Sequence, residues 1–515
     1  MASHSTGFFV RQCAITAVAV MMWCAGGWAQ IPPARTIVLS GSEPPDQPVG
    51  VIFADFSPNM APSGRIAVNG TLTGAGITAD NDTGVWAAGS DSVLVTIAWE
   101  GTAAPGFPDL TLSGILSTVY PSARGVAYIS FLSGPGVTMF NNMASFSGGS
   151  LVHRFEGQAP GFGPDVTWDG AVTDTQVGGQ LLVLGPLSGP GIDATNDDIL
   201  YLWSEGNFTQ LLRLGDPADG GGTFADISVE RAFNRNRIIA FKGAAEEPPG
   251  VFTNGLWVGS NGSYQLVAKV GQTIATPVGS QTLETVPAVP SLDEAGQFIA
   301  FVGQVSGGVQ CLWVFNGPGL LRPVAMEGEP IGGVTVMSLW APVISGDSVA
   351  FKVLLAVFGE AIVLDTSAGQ TVVAKEGDAP PGAPPGTAFS GFFEPAINSL
   401  GQVVFEAQFD GTESGEGIWL WTSDGELRPV AITGQPMWIS SSDMRTPTGL
   451  GFQGGAAYNA GQGGSVSLTD NGLIVFTALF DGGVKAILTS DPENIGIWAT
   501  GFETGDLSGW SSSTP

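Results

Sequence analysis

Eight glycines divide this chain into units of nearly equal length. They stand at positions 41, 101, 157, 215, 271, 328, 377 and 434, with gaps of 60, 56, 58, 56, 57, 49 and 57 residues. Each closes a short apolar run, as in Val95-Thr-Ile-Ala-Trp-Glu-Gly101, Leu151-Val-His-Arg-Phe-Glu-Gly157, Val372-Val-Ala-Lys-Glu-Gly377 and Pro429-Val-Ala-Ile-Thr-Gly434. Leu211-Leu-Arg-Leu-Gly215 is a shortened copy, and Ile37-Val-Leu-Ser-Gly41 is a copy near the N-terminus. A unit of this length cannot bury its own apolar face and must stack on its neighbours. The repeat therefore constrains the fold more tightly than any other feature.

A second element interleaves with the first. It is a turn containing Gly or Asn, followed by a strand that usually closes on an aromatic: Asn398-Ser-Leu-Gly-Gln-Val-Val-Phe405, Asp293-Glu-Ala-Gly-Gln-Phe-Ile-Ala-Phe301 and Asp470-Asn-Gly-Leu-Ile-Val-Phe476. A third strand carries tryptophan in Gly84-Val-Trp86, Leu202-Trp203, Gly255-Leu-Trp257, Leu312-Trp313 and Gly417-Ile-Trp419. With an inner strand such as Phe389 to Ile397, each unit offers four strands. Four strands repeated eight times predict an all-β, eight-bladed β-propeller; seven blades plus an extra hairpin is the alternative. The 76 glycines and 35 prolines suit the many turns this requires.

The two ends of the array complement each other. The last unit has its inner strand near Gly464–Leu468, a second strand at Leu473–Phe480 and a third at Val484–Thr489, but no fourth. The chain opens with an orphan fourth strand, Thr36–Ser40. Donating it to the last blade closes the ring and removes two free sheet edges. The propeller is thus expected over residues 30–490.

Residues 1–29 read as a signal peptide. Arg11 precedes an apolar run from Cys13 to Ala25, and Gly27-Trp28-Ala29 supplies small residues around a cleavage point after Ala29. Trp23 stands where a lipoprotein signal ending on Cys24 needs a small residue. The mature chain keeps 16 cationic side chains against 46 acidic ones, net −30, with His153 and Cys311 as its single histidine and cysteine. Such a charge argues against nucleic acid or an anionic membrane as partner. Because only 12 % of residues are charged and 43 % are hydrophobic, the chain is not an acidic disordered polymer. The most apolar stretch, Val353 to Leu364, is broken by Gly359-Glu360 and is too short to span a membrane as a helix. The expectation is an exported, secreted or cell-surface monomer with no transmembrane segment.

The N-x-x-G-x-x-x-A-F-like copies resemble the bacterial exported tandem-repeat proteins known by that motif. Asp293 to Phe301 fits it best, with Asp in place of Asn, and the first three units fit it poorly. The resemblance covers about residues 36–490 and implies a secreted or surface repeat protein with varied C-terminal anchors. It brings no set of catalytic residues. The layout is also similar to TolB-like and WD40 propellers, without their S-P-D-G and G-H…W-D signatures. The tail, 491–515, contains Gly501-Phe-Glu-Thr-Gly-Asp-Leu-Ser-Gly-Trp510, which resembles a segment found at the C-termini of many exported bacterial proteins. A sorting or anchoring segment is one reading of it; an ordered terminal strand or a remnant is the other.

Few residues offer chemistry. A Ser-His-Asp triad would need His153, which falls in a variable strand position expected to be exposed. Cys311 beside Leu312-Trp313 reads as a buried, inert thiol. The quinone-docking pattern of some eight-bladed propellers is absent. Carboxylates are plentiful enough for glycoside hydrolysis, but nothing singles out a pair. The most specific polar feature is a twin acidic loop between the second and third strands: Gly74-Ala-Gly-Ile-Thr-Ala-Asp-Asn-Asp82 and Gly189-Pro-Gly-Ile-Asp-Ala-Thr-Asn-Asp-Asp198. Asp80, Asn81, Asp82, Asp193, Asn196, Asp197 and Asp198 could hold Ca²⁺, a hard cation that takes such oxygens; Asx turns are the competing account. No cofactor is otherwise required. Acidic residues near the marker glycines (Glu43, Glu100, Glu156, Asp216, Glu327, Glu376) read as solvated turn acceptors. The longest loop, Gly434 to Gly463, is expected on the same face as the acidic loops. It carries Trp438, Asp443, Arg445 and Tyr458, residue types that recognise sugars or peptides. The function expected is therefore a binding or structural module for an extracellular glycan or protein. A carboxylate-dependent polysaccharide-active enzyme is the alternative.

Overall fold

The computed structural model describes residues 31–493, except 455–466 and short stretches at 62, 90–92, 123–124, 170–172, 178–179, 235, 287–289, 318, 341 and 358. The signal-peptide segment 1–29, Tyr458 and the tail from 494 onward lie outside the described residues. Eight antiparallel sheets stand around one axis as the blades of a propeller, each with four main strands and seven of them built from strands consecutive in the chain. The first blade is representative: Ile52–Met60 is innermost, followed by Ile66–Thr73, Thr83–Ala88 and Leu94–Trp99. Among the described residues no helix is long and apolar enough to cross a membrane.

Ring closure occurs as the orphan strand predicts. Arg35–Leu39 pairs antiparallel with Val484–Ser490 and becomes the outermost strand of the eighth blade. Gly41 then donates its N–H to Phe53 O in the inner strand of the first blade, at 2.9 Å. The same bond recurs at every other junction. Gly101, Gly215, Gly271, Gly328, Gly377 and Gly434 donate to Leu112, Phe224, Leu283, Val336, Phe389 and Pro447 of the next blade, all at 2.8–2.9 Å. These marker glycines all have φ between +79° and +88°, a region that penalises a Cβ, which is why glycine recurs there. The remaining junction is displaced by one residue. There Glu156, with φ of +58°, donates to Trp168 O in place of Gly157.

Glu43 and Glu156 are exposed as expected, but at three other units the acid before the marker glycine is not a solvated acceptor. Glu100 is only 5 % exposed, and its Oε2 accepts from the Thr83 N–H and hydroxyl at 3.2 and 2.8 Å. Glu327 and Glu376 likewise accept the Gln310 and Glu360 amides, and the Thr433 hydroxyl accepts the Glu416 amide. Each of these side chains ties the end of an outer strand to the start of the third. The acid is a fastener within the blade.

The tryptophan signal also has a mechanical cause. In the third strand the indole folds back over the glycine two residues earlier, where a Cβ at Gly255 would stand 2.6 Å from the Trp257 ring. The indole N–H of Trp257, Trp313 and Trp419 donates to Asp219 O, Ala275 O and Pro381 O, each 38 residues upstream in the hairpin that leads into the same blade. Trp203 is a correction. Register pairs Val183 with Tyr201, as Phe241 pairs with Trp257, so Tyr201 holds the equivalent position and its hydroxyl donates to Pro160 O at 2.6 Å. The N-x-x-G turns are inter-blade links as well. Asn398 Oδ1 accepts the Leu400 and Gln402 amides, while its Nδ2 donates to Thr469 O of the next blade at 2.9 Å. Asn234 does the same towards Asp293 O.

The eighth blade departs from expectation in its inner strand. Pro447–Gly451 occupies that position and pairs with Ile474–Phe480; of the expected Gly464–Leu468 segment, Leu468 makes a lone bridge to Ile474. Inner strands elsewhere are also split, for instance Thr387–Phe392 and Ala396–Ile397, but by few residues. Here residues 452–467 intervene. The long segment after Gly434 is therefore two things: a lead-in hairpin like those of other blades, and an insertion within the inner strand.

Deleting residues 30–48 removes the strand that closes the ring and exposes a hydrogen-bonding edge on Val484–Ser490. The truncated chain should aggregate or melt markedly lower than the chain beginning at residue 30. Equal melting curves in differential scanning calorimetry would count against closure by this strand.

Candidate functional site

Connections between second and third strands emerge on one face of the disc, and three of them share a single frame. In Gly74–Asp82, Asn81 Oδ1 accepts the Thr78 amide at 2.7 Å and its Nδ2 donates to Gly76 O at 3.1 Å. Asn196 repeats this with the Asp193 amide and Gly191 O, at 3.1 and 3.3 Å. The third copy is Gly134 to Asn142, where Asn141 bonds the Thr138 amide and Gly136 O. Its sequence has Thr138, Phe140 and Asn142 at the positions where one or both of the other loops carry acids, so the acidic pattern did not reveal it, although Gly134-Pro-Gly136 matches Gly189-Pro-Gly191. The outer strand of each blade clasps its loop through Trp99 Nε1 to Asn81 O, Arg154 Nε to Asn141 O and Arg213 Nε to Asn196 O.

In these loops the Asn oxygens proposed for calcium serve their own turns. Asp193 accepts from the Thr195 hydroxyl and amide, which hold its carboxyl below the usual carboxylate range. Burial pushes Asp198 the other way, with Asp197 and Asp226 adding to the rise. Asp80 is exposed, and Asp82 and Asp197 are half-buried. Among the described residues no three His, Cys, Asp or Glu side chains converge as a metal-binding group.

Trp438, Asp443 and Arg445 lie on a hairpin of their own. Met437–Trp438 and Met444–Arg445 form a two-stranded hairpin. Trp438 O accepts the Ala34 N–H at 2.8 Å, and Ile439 O accepts both the N–H and the hydroxyl of Thr36. The hairpin therefore lies on the rim, alongside the outermost strand of the eighth blade. Met437 and Ile439 are 1 % and 2 % exposed, whereas Trp438 between them is 39 % exposed. Arg445 is engaged: it pairs with Asp443 at 2.9 Å and its guanidinium lies over the Phe480 ring at 5.7 Å. Tyr458 lies outside the described residues.

His153 is buried, contrary to the expected exposed position, and its ring packs 5.8 Å from that of Trp168. Cys311 is fully buried in the place that glycine holds before Trp257, and burial pushes its thiol up to about 12. Such a thiol is inert at neutral pH.

Sequence reading missed a pair of carboxylates between the seventh and eighth blades. Glu406 Oε2 accepts the Phe452 amide at 2.9 Å, and Glu416 Oε1 accepts the Leu450 amide at 2.7 Å. One blade earlier the same two positions hold Lys352 and Glu360, which bond Phe392 O and the Phe392 amide and pair with each other at 3.4 Å. These side chains join one blade to the split inner strand of the next. At the seventh blade both positions are acidic, and burial, with Glu416 adding a smaller push, raises Glu406 to about 7. Glu416 also lines a groove of about 780 Å³ with Asp410, Glu413, Thr448 and Asp481.

The repeated frame over most of the length has a counterpart in other chains. This protein belongs to the family of unknown function DUF7453. The family's model matches residues 24–288, 171–332 and 223–494, overlapping placements that a chain of similar units permits. No curated protein matches it. Among solved structures, an acylaminoacyl peptidase of Pyrococcus horikoshii is 12 % identical over 69 % of this chain and 50 % of its own, TM-score 0.32. TolB of Acinetobacter baumannii is 11 % identical over 72 % and 78 %, TM-score 0.27. A lectin of Aleuria aurantia in complex with Fucα1-6GlcNAc is 13 % identical over 64 % and 97 %, TM-score 0.25. This chain spans half the length of the peptidase, and none of the three resemblances carries an argument about ligand or activity.

Two predictions follow from this geometry. Asn141→Ala and Asn196→Ala should each cost about 1 kcal/mol, the worth of a turn-capping side chain, and a chelator should not move the melting temperature of either variant or of the parent. A chelator-dependent fall that Asp82→Ala with Asp197→Ala abolishes would assign a cation to the acidic loops instead. Glu406 titrates higher in the folded chain than the ordinary 4.5, so folding binds a proton between pH 4.5 and about 7 and stability falls as pH rises through that window. Glu406→Gln should remove this slope and, at pH 8, gain up to about 3 kcal/mol over the parent, the difference vanishing below pH 4.5. Parallel denaturation curves of the two chains across pH 4–8 would refute it.

Proposed function

We propose that this protein is an exported, surface or secreted propeller that acts as a binding or structural module for an extracellular glycan or protein, with Trp438 as its principal contact. Export rests on the apolar segment before Ala29 and on the resemblance of its turns to exported bacterial repeat proteins. The observation that carries the binding role is the presentation of Trp438. An indole left 39 % exposed, between two buried neighbours on a hairpin bonded to the rim strand, is a rigid platform. It can stack on a sugar face or an apolar side chain with little ordering entropy left to lose. Asp443 and Arg445, paired beside it, offer an acceptor and donors at its edge. Tyr458 is a second candidate contact.

The reading needs no cofactor, and calcium at the acidic loops is a separate question that the chelator experiment decides. The enzymatic alternative gains little, because Glu406 and Glu416 each accept a backbone amide between blades. The test is a glycan and matrix-protein array probed with the chain lacking residues 1–29. Trp438→Ala should weaken the ligand found there at least tenfold, about 1.4 kcal/mol, with an unchanged melting temperature. Full affinity in the folded variant would move the site away from the rim hairpin.

A further inference from the structure

The face bearing the connections between second and third strands has a composition that the inter-blade scaffold does not explain. In the second, fourth, sixth and eighth blades those connections or their flanks expose large apolar side chains. Met139 and Phe140 are 79 % and 66 % exposed, Phe252 62 %, Val357 77 % and Leu479 46 %. The same connections expose acids in the first, third, fourth, seventh and eighth blades: Asp80, Asp193, Glu247, Asp410, Glu413 and Asp481. The fifth exposes neither kind. Its turn at Gly307-Gly308 has both amides bonded to the Glu284 carboxylate.

Cations near this face are spent on neighbours. Lys269 pairs with Glu247 at 2.5 Å, Lys375 with Asp378 at 2.5 Å and Lys485 with Asp55 at 2.8 Å. Arg154 and Arg213 donate to loop carbonyls. Asp80, Asp410, Glu413 and Asp481 have no ion pair among the described residues, whereas Asp193 has Arg213 nearby. In a chain of net charge −29, this leaves apolar tips beside several unpaired acids.

Side chains of this size at loop tips bury nothing within the fold, and together with the unpaired acids they give this face a mixed apolar and anionic character. The charge decides what can cover it. A second copy of this chain would bring like charge against like, and an anionic lipid surface is repelled for the same reason. We infer that this face docks a cationic polypeptide segment that also carries apolar side chains, its lysines or arginines meeting the acidic loops and its apolar residues meeting the tips between them.

The test uses the chain lacking residues 1–29 and three soluble 16-residue peptides: alternating Lys-Leu, alternating Lys-Ser and alternating Glu-Leu. The Lys-Leu peptide should bind at least tenfold more tightly than Lys-Ser, Glu-Leu should not bind, and affinity should fall steeply between 50 and 500 mM salt, as screening requires. Phe140→Ser with Phe252→Ser and Val357→Ser should weaken the Lys-Leu peptide at least tenfold. Leu320→Ser with Leu400→Ser, exposed on the opposite face, should not. A charge variant, Asp80→Asn with Asp410→Asn and Glu413→Gln, should flatten the salt dependence. These positions are exposed, and melting curves verify the fold of each variant. Equal losses in both face variants, binding of Lys-Ser as tight as Lys-Leu, or tighter association with phosphatidylcholine vesicles than with the Lys-Leu peptide would overturn the inference.

Discussion

One hydrogen bond organises this molecule: the amide at the end of an outer strand donating to the inner strand of the next blade. It recurs at eight junctions, and at seven of them a glycine in the left-handed region makes it. A blade alone is a small sheet with two apolar faces, and neither face is buried until a neighbour stacks on it. The bond sets where that neighbour begins. Because Gly41 uses it between the eighth blade and the first, the N-terminal strand both completes a sheet and starts the ring.

Around that bond, polar side chains that look like chemistry prove to be joinery. Glu100, Glu327 and Glu376 fasten strands within a blade; Asn234 and Asn398 link turns between blades. Lys352, Glu406 and Glu416 hold split inner strands by their backbone groups. Buried polar groups demand partners, and the kinked inner strands leave amides and carbonyls that no ladder satisfies. The blades supply those partners from side chains. The cost shows where two acids occupy adjacent positions, at Glu406 and Glu416, and one holds its proton to near neutral pH.

The parts legible in sequence were those that recur. Periodic glycines, aromatic-ended strands and the unmatched first strand sufficed for eight blades and their closure, because each reports a requirement repeated at every junction. Trp203 misled because adjacent aromatics occupy one strand and only register separates it from Tyr201. The acids beside the marker glycines were read as solvated, since their partners lie in strands some 17 residues upstream. The loop after Gly434 was mistaken for one connection because an insertion inside an inner strand carries no signal distinguishing it from a loop. That reading joined Trp438 to Tyr458 in one loop.

Function in such a scaffold is to be sought in what does not repeat. A residue type present at every junction is explained by the junction, whatever chemistry it could perform elsewhere. What remains unexplained by stacking is short: an exposed indole on a rim hairpin, an insertion in one inner strand, and loop tips whose character changes from blade to blade over a constant turn frame. The last point is the most telling. Asn81, Asn141 and Asn196 keep the same bonds while the neighbouring positions pass from Asp80 to Phe140 to Thr195. Thr195 bonds Asp193 within its turn, whereas Phe140 is 66 % exposed, a cost that packing does not require. Apolar tips of that kind persist most simply where another surface covers them.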